Sequence, residues 1–125
     1  MFDTKEGCNS ILIIEDDKDI RDSIKEALEL EGYDVDTSVN GKEALEFLRQ
    51  ASKPCIVLLD MHMPVMGGRE FLDILMKDAG LSPIPVIVIS SVATKENTMG
   101  AAAYIRKPAD LNVILNTVKK YCYTI

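Results

Sequence analysis

No apolar run in this 125-residue chain approaches the length of a membrane span. Met1 to Asn9 is mostly polar and carries Asp3 and Glu6, so no secretory leader is expected. Cysteine is scarce: Cys8, Cys55 and Cys122 cannot all pair with one another, and reduced thiols in a cytoplasmic protein are the expectation. Histidine is scarcer, with His62 alone, and neither it nor a cysteine is placed to favour zinc. Positive charge is also short. Fourteen Lys and Arg face twenty Asp and Glu, for a net charge of −6. An acidic chain gains nothing from neutralising phosphates, which argues against direct nucleic-acid binding. There is no internal repeat, low-complexity tract or linker. We therefore expect one domain over residues 10–125, with residues 1–9 as an N-terminal extension.

What is present is a set of short apolar runs that end in chemistry. Ser10-Ile11-Leu12-Ile13-Ile14 runs into Glu15-Asp16-Asp17, and Cys55-Ile56-Val57-Leu58-Leu59 runs into Asp60. Val86-Ile87-Val88-Ile89 ends at Ser90-Ser91, and Tyr104-Ile105-Arg106 ends at Lys107-Pro108. Continuous apolar runs of this length are the pattern of strands buried on both faces of a parallel sheet. Asp34 to Ser38 is more polar, as an edge strand should be. Helical periods intervene: Ile20, Ile24, Ala27 and Leu28 before Gly32; Ala44, Leu45 and Leu48 before Pro54; Phe71, Leu72, Leu75 and Met76; and Leu111, Ile114, Leu115 and Val118. Strands alternating with helices predict a doubly wound α/β sheet.

Parallel strands all point one way, so their carboxyl ends share one edge of the sheet, where ligands of open α/β sheets bind. That edge would gather Glu15, Asp16, Asp60, Ser90 and Lys107. Taken singly, each has a plain reading: Glu15-Asp16-Asp17 as an acidic helix start, Asp60 as a turn residue, Ser90 as a strand end, Lys107 as a loop lysine. Together they would have to reach equivalent strand ends by accident. Crowded carboxylates repel one another unless a cation is present, and a few hard oxygen ligands with waters suit Mg²⁺. With Mg²⁺ and Lys107 offsetting charge, Asp60 can act as a nucleophile toward a phosphoryl group, with Ser90 hydrogen-bonding one of its oxygens.

These residues, with Met63-Pro64, Met66 and Gly68 after Asp60 and Gly100-Ala101 before Tyr104, resemble the receiver domain of a two-component response regulator, of the stand-alone, chemotaxis-regulator-like type. The likeness runs from Ile11 to about Cys122. It implies a flavodoxin-like five-stranded sheet in the order 2-1-3-4-5. It implies transfer of a phosphoryl group to Asp60 from a sensor histidine kinase or a histidine phosphotransfer protein, followed by signalling to a downstream protein target. Such a domain is not an enzyme beyond catalysing its own phosphorylation and dephosphorylation. The likeness further implies metal binding by Glu15, Asp16, Asp60 and the main-chain carbonyl of His62, with Asp16 a direct ligand. Ser90 and Tyr104 become switch residues, Lys107 the phosphate-contacting cation, and Lys107–Pro108 a cis peptide.

The chain departs from that pattern in one place. Ser90 to Lys107 is short by about a turn and a half of helix, leaving Thr94 to Met99 for the fourth helix. Asn97, Thr98 and Gly100 are indifferent or poor helix formers, so a stunted or irregular element is expected there. Val92, two positions after Ser90, is apolar and unable to orient an attacking water, which predicts slow self-hydrolysis. Two rival functions follow from the same residues. One is a degenerate receiver that only docks proteins. The other is an aspartyl-phosphate hydrolase, disfavoured because His62 stands where such enzymes carry a second acid.

Overall fold

A computed structural model describes residues 9–50 and 53–121. Five strands alternate with four helices: β1 (Ser10–Ile14), α1 (Lys18–Leu30), β2 (Asp34–Ser38), α2 (Gly41–Gln50), β3 (Ile56–Leu59), α3 (Gly68–Lys77), β4 (Val86–Ser90), β5 (Ala103–Arg106) and α4 (Leu111–Tyr121). All strand pairings are parallel and the order across the sheet is β2-β1-β3-β4-β5, as expected. Residues 1–8 of the N-terminal extension, and Cys122, lie outside the described residues.

Strand alternation divides the core in two. Leu12, Ile14, Val57, Leu59, Val86 and Val88 face α2 and α3, whose Ala44, Leu45, Leu48, Phe71, Leu72 and Leu75 pack on them. Ile11, Ile13, Ile56, Leu58, Ile87 and Ile89 face α1 and α4, through Ile24, Leu28, Ile114 and Val118. Apart from Ser10 and Ser90 at their ends, the central strands are therefore apolar at every position, which is why the runs showed no period-two pattern. Gly32 ends α1 as its place in the sequence suggested. It takes φ +95°, its N–H donates to the carbonyl of Glu29 at 3.0 Å, and that of Tyr33 donates to Leu28 at 3.1 Å.

Two observations refine or correct the expectations. The element between β4 and β5 is irregular, as expected, but forms no shortened helix: residues 91–100 make a succession of turns. Thr94 and Asn97 bond each other's backbone amides through their side chains, at 2.8 and 3.0 Å, and Thr98 Oγ1 donates to the carbonyl of Thr94 at 2.6 Å. Such side-chain bonds compete with a helical ladder. Gly100, at φ +96°, then reverses the chain, and a Cβ there would collide with the Met76 side chain. Second, Cys55 is disulfide-bonded, correcting the expectation of reduced thiols. It precedes β3 rather than lying within it and is only half-buried.

Candidate functional site

Asp60 directly follows β3, and its N–H donates to the carbonyl of Ile14 on β1 at 3.0 Å. That bond sets the Asp60 carboxylate level with the acidic residues after β1. Glu15 is anchored in turn by its N–H on the carbonyl of Ser38 at 3.0 Å. The three acids that follow β1 have separate roles. Asp17 caps α1, its Oδ1 accepting from the N–H groups of Asp19 at 2.9 Å and Ile20 at 3.1 Å. Glu15 and Asp16 join Asp60 instead: one carboxylate oxygen from each lies within 4.8 Å of the other two. Glu15 and Asp60 are buried, and Asp16 is exposed, so the cluster opens to solvent on one side.

Lys107 supplies the cation. Its Nζ donates to Glu15 Oε1 at 2.8 Å and lies 3.8 Å from Asp60 Oδ1. The pair spans 92 residues of sequence and joins the loop after β5 to the one after β1. Burial raises the Glu15 carboxyl above its ordinary value of 4.5, and the charge of Asp60 adds to the rise. The Lys107 hydrogen bond and the N–H of Asp17 pull it back only in part. The cluster thus carries more negative charge than the lysine offsets. Three carboxylate oxygens this close are a donor set that a small hard cation would suit, and the residues fit Mg²⁺.

Ser90, fully buried, ends β4 at the same edge. Its carbonyl accepts from the N–H of Lys107 at 3.2 Å, and its Oγ from the N–H of Val92 at 3.4 Å. The Lys107–Pro108 peptide is cis. Tyr104 is not part of the cluster. It lies midway along β5, opposite Val88, and is 43% exposed. Because Ala103 and Ile105 pack toward α1 and α4, Tyr104 projects to the other face, where a helix between β4 and β5 would have stood. His62 is exposed, in the loop after Asp60.

Arg21 is a site residue that the sequence did not reveal. Its Nη1 donates to the carbonyl of Glu15 at 2.9 Å and contacts that of Asp16 at 3.5 Å, pinning the backbone of the acidic pair. It stands one turn into the helix that Asp17 caps, a place that by itself gives no signal of this contact. Two glycines let the loops meet. A Cβ on Gly68 would come within 2.6 Å of the Asp60 carbonyl oxygen and 2.7 Å of Met61 Cα. One on Gly41 would press on Met66 at 2.9 Å. Val65, in the same loop, takes φ +69° while 76% exposed. A left-handed backbone costs a side-chain-bearing residue about 1–2 kcal/mol. Val65→Gly is therefore expected to raise the unfolding free energy by about 1 kcal/mol, read as a higher midpoint in urea.

The acidic pocket with its one lysine thus lies at the carboxyl edge of a doubly wound five-stranded sheet. The chain belongs to the response regulator receiver domain family, whose model matches residues 11–119, and so to two-component signalling. It is 32% identical over 117 residues to the polar-differentiation response regulator DivK of Brucella anthropi, covering 90% of this chain and 94% of that one. Among solved structures it resembles a CheY-like receiver domain protein from Methanospirillum hungatei, at 32% identity and a TM-score of 0.82, covering 91% and 93% of the two chains. A receiver domain of a histidine kinase from Syntrophus aciditrophicus is similar at 30% identity and a TM-score of 0.82, covering 90% of this chain and 89% of that one. No described helix is long and apolar enough to cross a membrane.

Proposed function

We propose that this receiver accepts a phosphoryl group on Asp60 from a phosphohistidine of a sensor kinase or phosphotransfer protein, in a Mg²⁺-dependent reaction in the cytoplasm. One observation carries the reading: a buried Asp60 with ligand oxygens of Glu15 and Asp16 within 4.8 Å and the Lys107 ammonium 3.8 Å from its Oδ1. An Asp60 oxygen attacks phosphorus, the phosphorus–nitrogen bond of the donor breaks, and the imidazole leaves with the electron pair. Glu15, Asp16, Asp60 and the His62 carbonyl would hold the cation, which when bound offsets negative charge on the transferring oxygens. Lys107 neutralises a further oxygen, and the Ser90 hydroxyl donates to another once it turns from the Val92 amide. Val92 offers no group to orient water, so the acyl phosphate should be long-lived. Output to a downstream protein follows from the new charge at Asp60, with Ser90 and Tyr104 as the residues that respond.

Incubation with acetyl phosphate and Mg²⁺, read by intact mass, tests this. The protein should gain one phosphoryl group, and chelation of the metal should prevent the gain. The absence of a helix between β4 and β5 favours a second reading, a receiver that only docks partners; no mass gain under any condition would select it.

The raised pKa of Glu15 has a further consequence. As pH falls from neutrality, Glu15 takes up its proton before an ordinary carboxylate would, and the cluster loses charge. Mg²⁺ affinity measured by calorimetry is expected to fall while free carboxylates of pKa about 4 are still ionised. Binding at a pH where Glu15 holds its proton should also release that proton, seen as a dependence of the measured heat on buffer ionisation.

A further inference from the structure

Residues 91–102 cross from β4 to β5 with neither a helix nor a strand to hold them. Their internal bonds gather around Thr94, Asn97 and Thr98, and Asn97 Nδ2 donates to the carbonyl of Val92 at 2.6 Å. A continuing helix would satisfy the carbonyls of Asn97 and Met99. Here the reversal at Gly100 leaves them facing α3, and Arg69 takes both. Its Nη1 donates to the carbonyl of Asn97 and its Nη2 to that of Met99, each at 3.0 Å. The fork is itself fixed by Asp73 Oδ1, which accepts from Nε at 3.1 Å and Nη2 at 2.6 Å. Only a guanidinium has the planar set of donors to do this; a lysine ammonium does not.

The two ends of this link lie at the two halves of the acceptor site. Arg69 follows Gly68, whose N–H donates to the carbonyl of Met61 at 3.0 Å and where an added Cβ would lie 2.6 Å from the Asp60 carbonyl oxygen. The segment it holds begins at Ser90, whose carbonyl accepts from Ala93 at 3.3 Å and from Lys107 at 3.2 Å. The acceptor loop and the hydroxyl-and-lysine loops are thus joined through one side chain 28 to 30 residues away in sequence from the carbonyls it binds.

We propose that Arg69 is a positioning residue for phosphoryl transfer: by bridging α3 to residues 97–99 it holds Ser90 and Lys107 in register with Asp60. The inference rests on Asp60 being the acceptor. Arg69 touches neither Asp60 nor the incoming group and acts through the segment it binds.

Three variants test it, Arg69→Ala, Arg69→Lys and Asp73→Asn, each followed for phosphorylation by acetyl phosphate, Mg²⁺ affinity and amide hydrogen exchange over residues 91–102. Arg69→Ala should lose exchange protection in that segment and phosphorylate roughly tenfold more slowly, the scale of effect expected from displaced reacting groups. Its Mg²⁺ affinity should stay that of the unaltered protein, since Glu15, Asp16 and Asp60 are held by other contacts. Arg69→Lys keeps the charge without the fork and should be nearly as slow. Asp73→Asn keeps an oxygen to accept from the fork but loses the ion pair, and should slow phosphorylation much less than Arg69→Ala does. Increased exchange in both Arg69 variants with unchanged phosphorylation would reduce Arg69 to a structural brace and overturn the proposal. If Arg69→Ala does not fold, Arg69→Lys decides alone. Unaltered protein that gains no phosphoryl group at all would defeat the acceptor reading itself, and this inference with it.

Discussion

Asp60→Asn protein is expected to show no phosphoryl gain with acetyl phosphate and Mg²⁺, against near-complete modification of the unaltered chain. The amide is nearly isosteric with the carboxylate and can still accept the Lys107 ammonium, so the fold should survive. It is not, however, a nucleophile toward phosphorus at neutral pH. Removing its negative charge also relieves the repulsion that helps raise Glu15. The variant should therefore bind Mg²⁺ more weakly and hold the Glu15 proton less tightly, two changes visible in the same calorimetric series. The effect on phosphorylation is all-or-none, which makes it the largest we expect from any single substitution.

Lys107→Ala comes next. The lysine donates to Glu15 Oε1 at 2.8 Å and lies 3.8 Å from Asp60 Oδ1, with its own side chain 19% exposed. Its loss removes the only ammonium at the pocket among the described residues and leaves two buried carboxylates facing each other. Phosphorylation should slow by about a hundredfold, the scale of losing one charge-stabilising donor in a transfer reaction. The metal-free variant should also be destabilised by about 2 kcal/mol, below the usual cost of breaking a fully buried pair because Asp16 opens the cluster to water. Added Mg²⁺ should restore much of that stability but little of the rate, because the cation can replace the lysine in offsetting charge but not in contacting the transferring oxygens. A urea series with and without the metal separates the two.

Much of this architecture was legible in the sequence because a parallel sheet buried on both faces writes itself as unbroken apolar runs. Leu12 and Ile13 serve opposite faces of β1, yet both must be apolar, and the same holds for Val57 and Leu58 on β3. The residues that follow such runs must sit at one edge, so Glu15, Asp60 and Lys107 could be gathered without coordinates. The sequence was silent where side chains bond backbone across distance. Arg21 on the carbonyls of Glu15 and Asp16, and Arg69 on those of Asn97 and Met99, form no motif: a surface arginine on a helix reads as solvated charge whichever carbonyl it reaches. The division of labour among Glu15, Asp16 and Asp17 was equally hidden. Three adjacent acids look alike until the helix begins and turns one of them into its cap. The fate of the segment after β4 was half legible. Its shortness and its Asn-Thr composition foretold a failed helix, but not the turns that Thr94 and Asn97 build by bonding each other's amides.

The most direct test of the acceptor assignment is chemical trapping followed by peptide mapping. Phosphorylated protein reduced with borohydride converts an aspartyl phosphate to homoserine, and sequencing of the proteolytic fragments locates it. We expect homoserine at position 60 alone, formed only when Mg²⁺ was present during phosphorylation. Homoserine at another carboxylate, or a stable phosphoryl group on His62 in its place, would contradict the account.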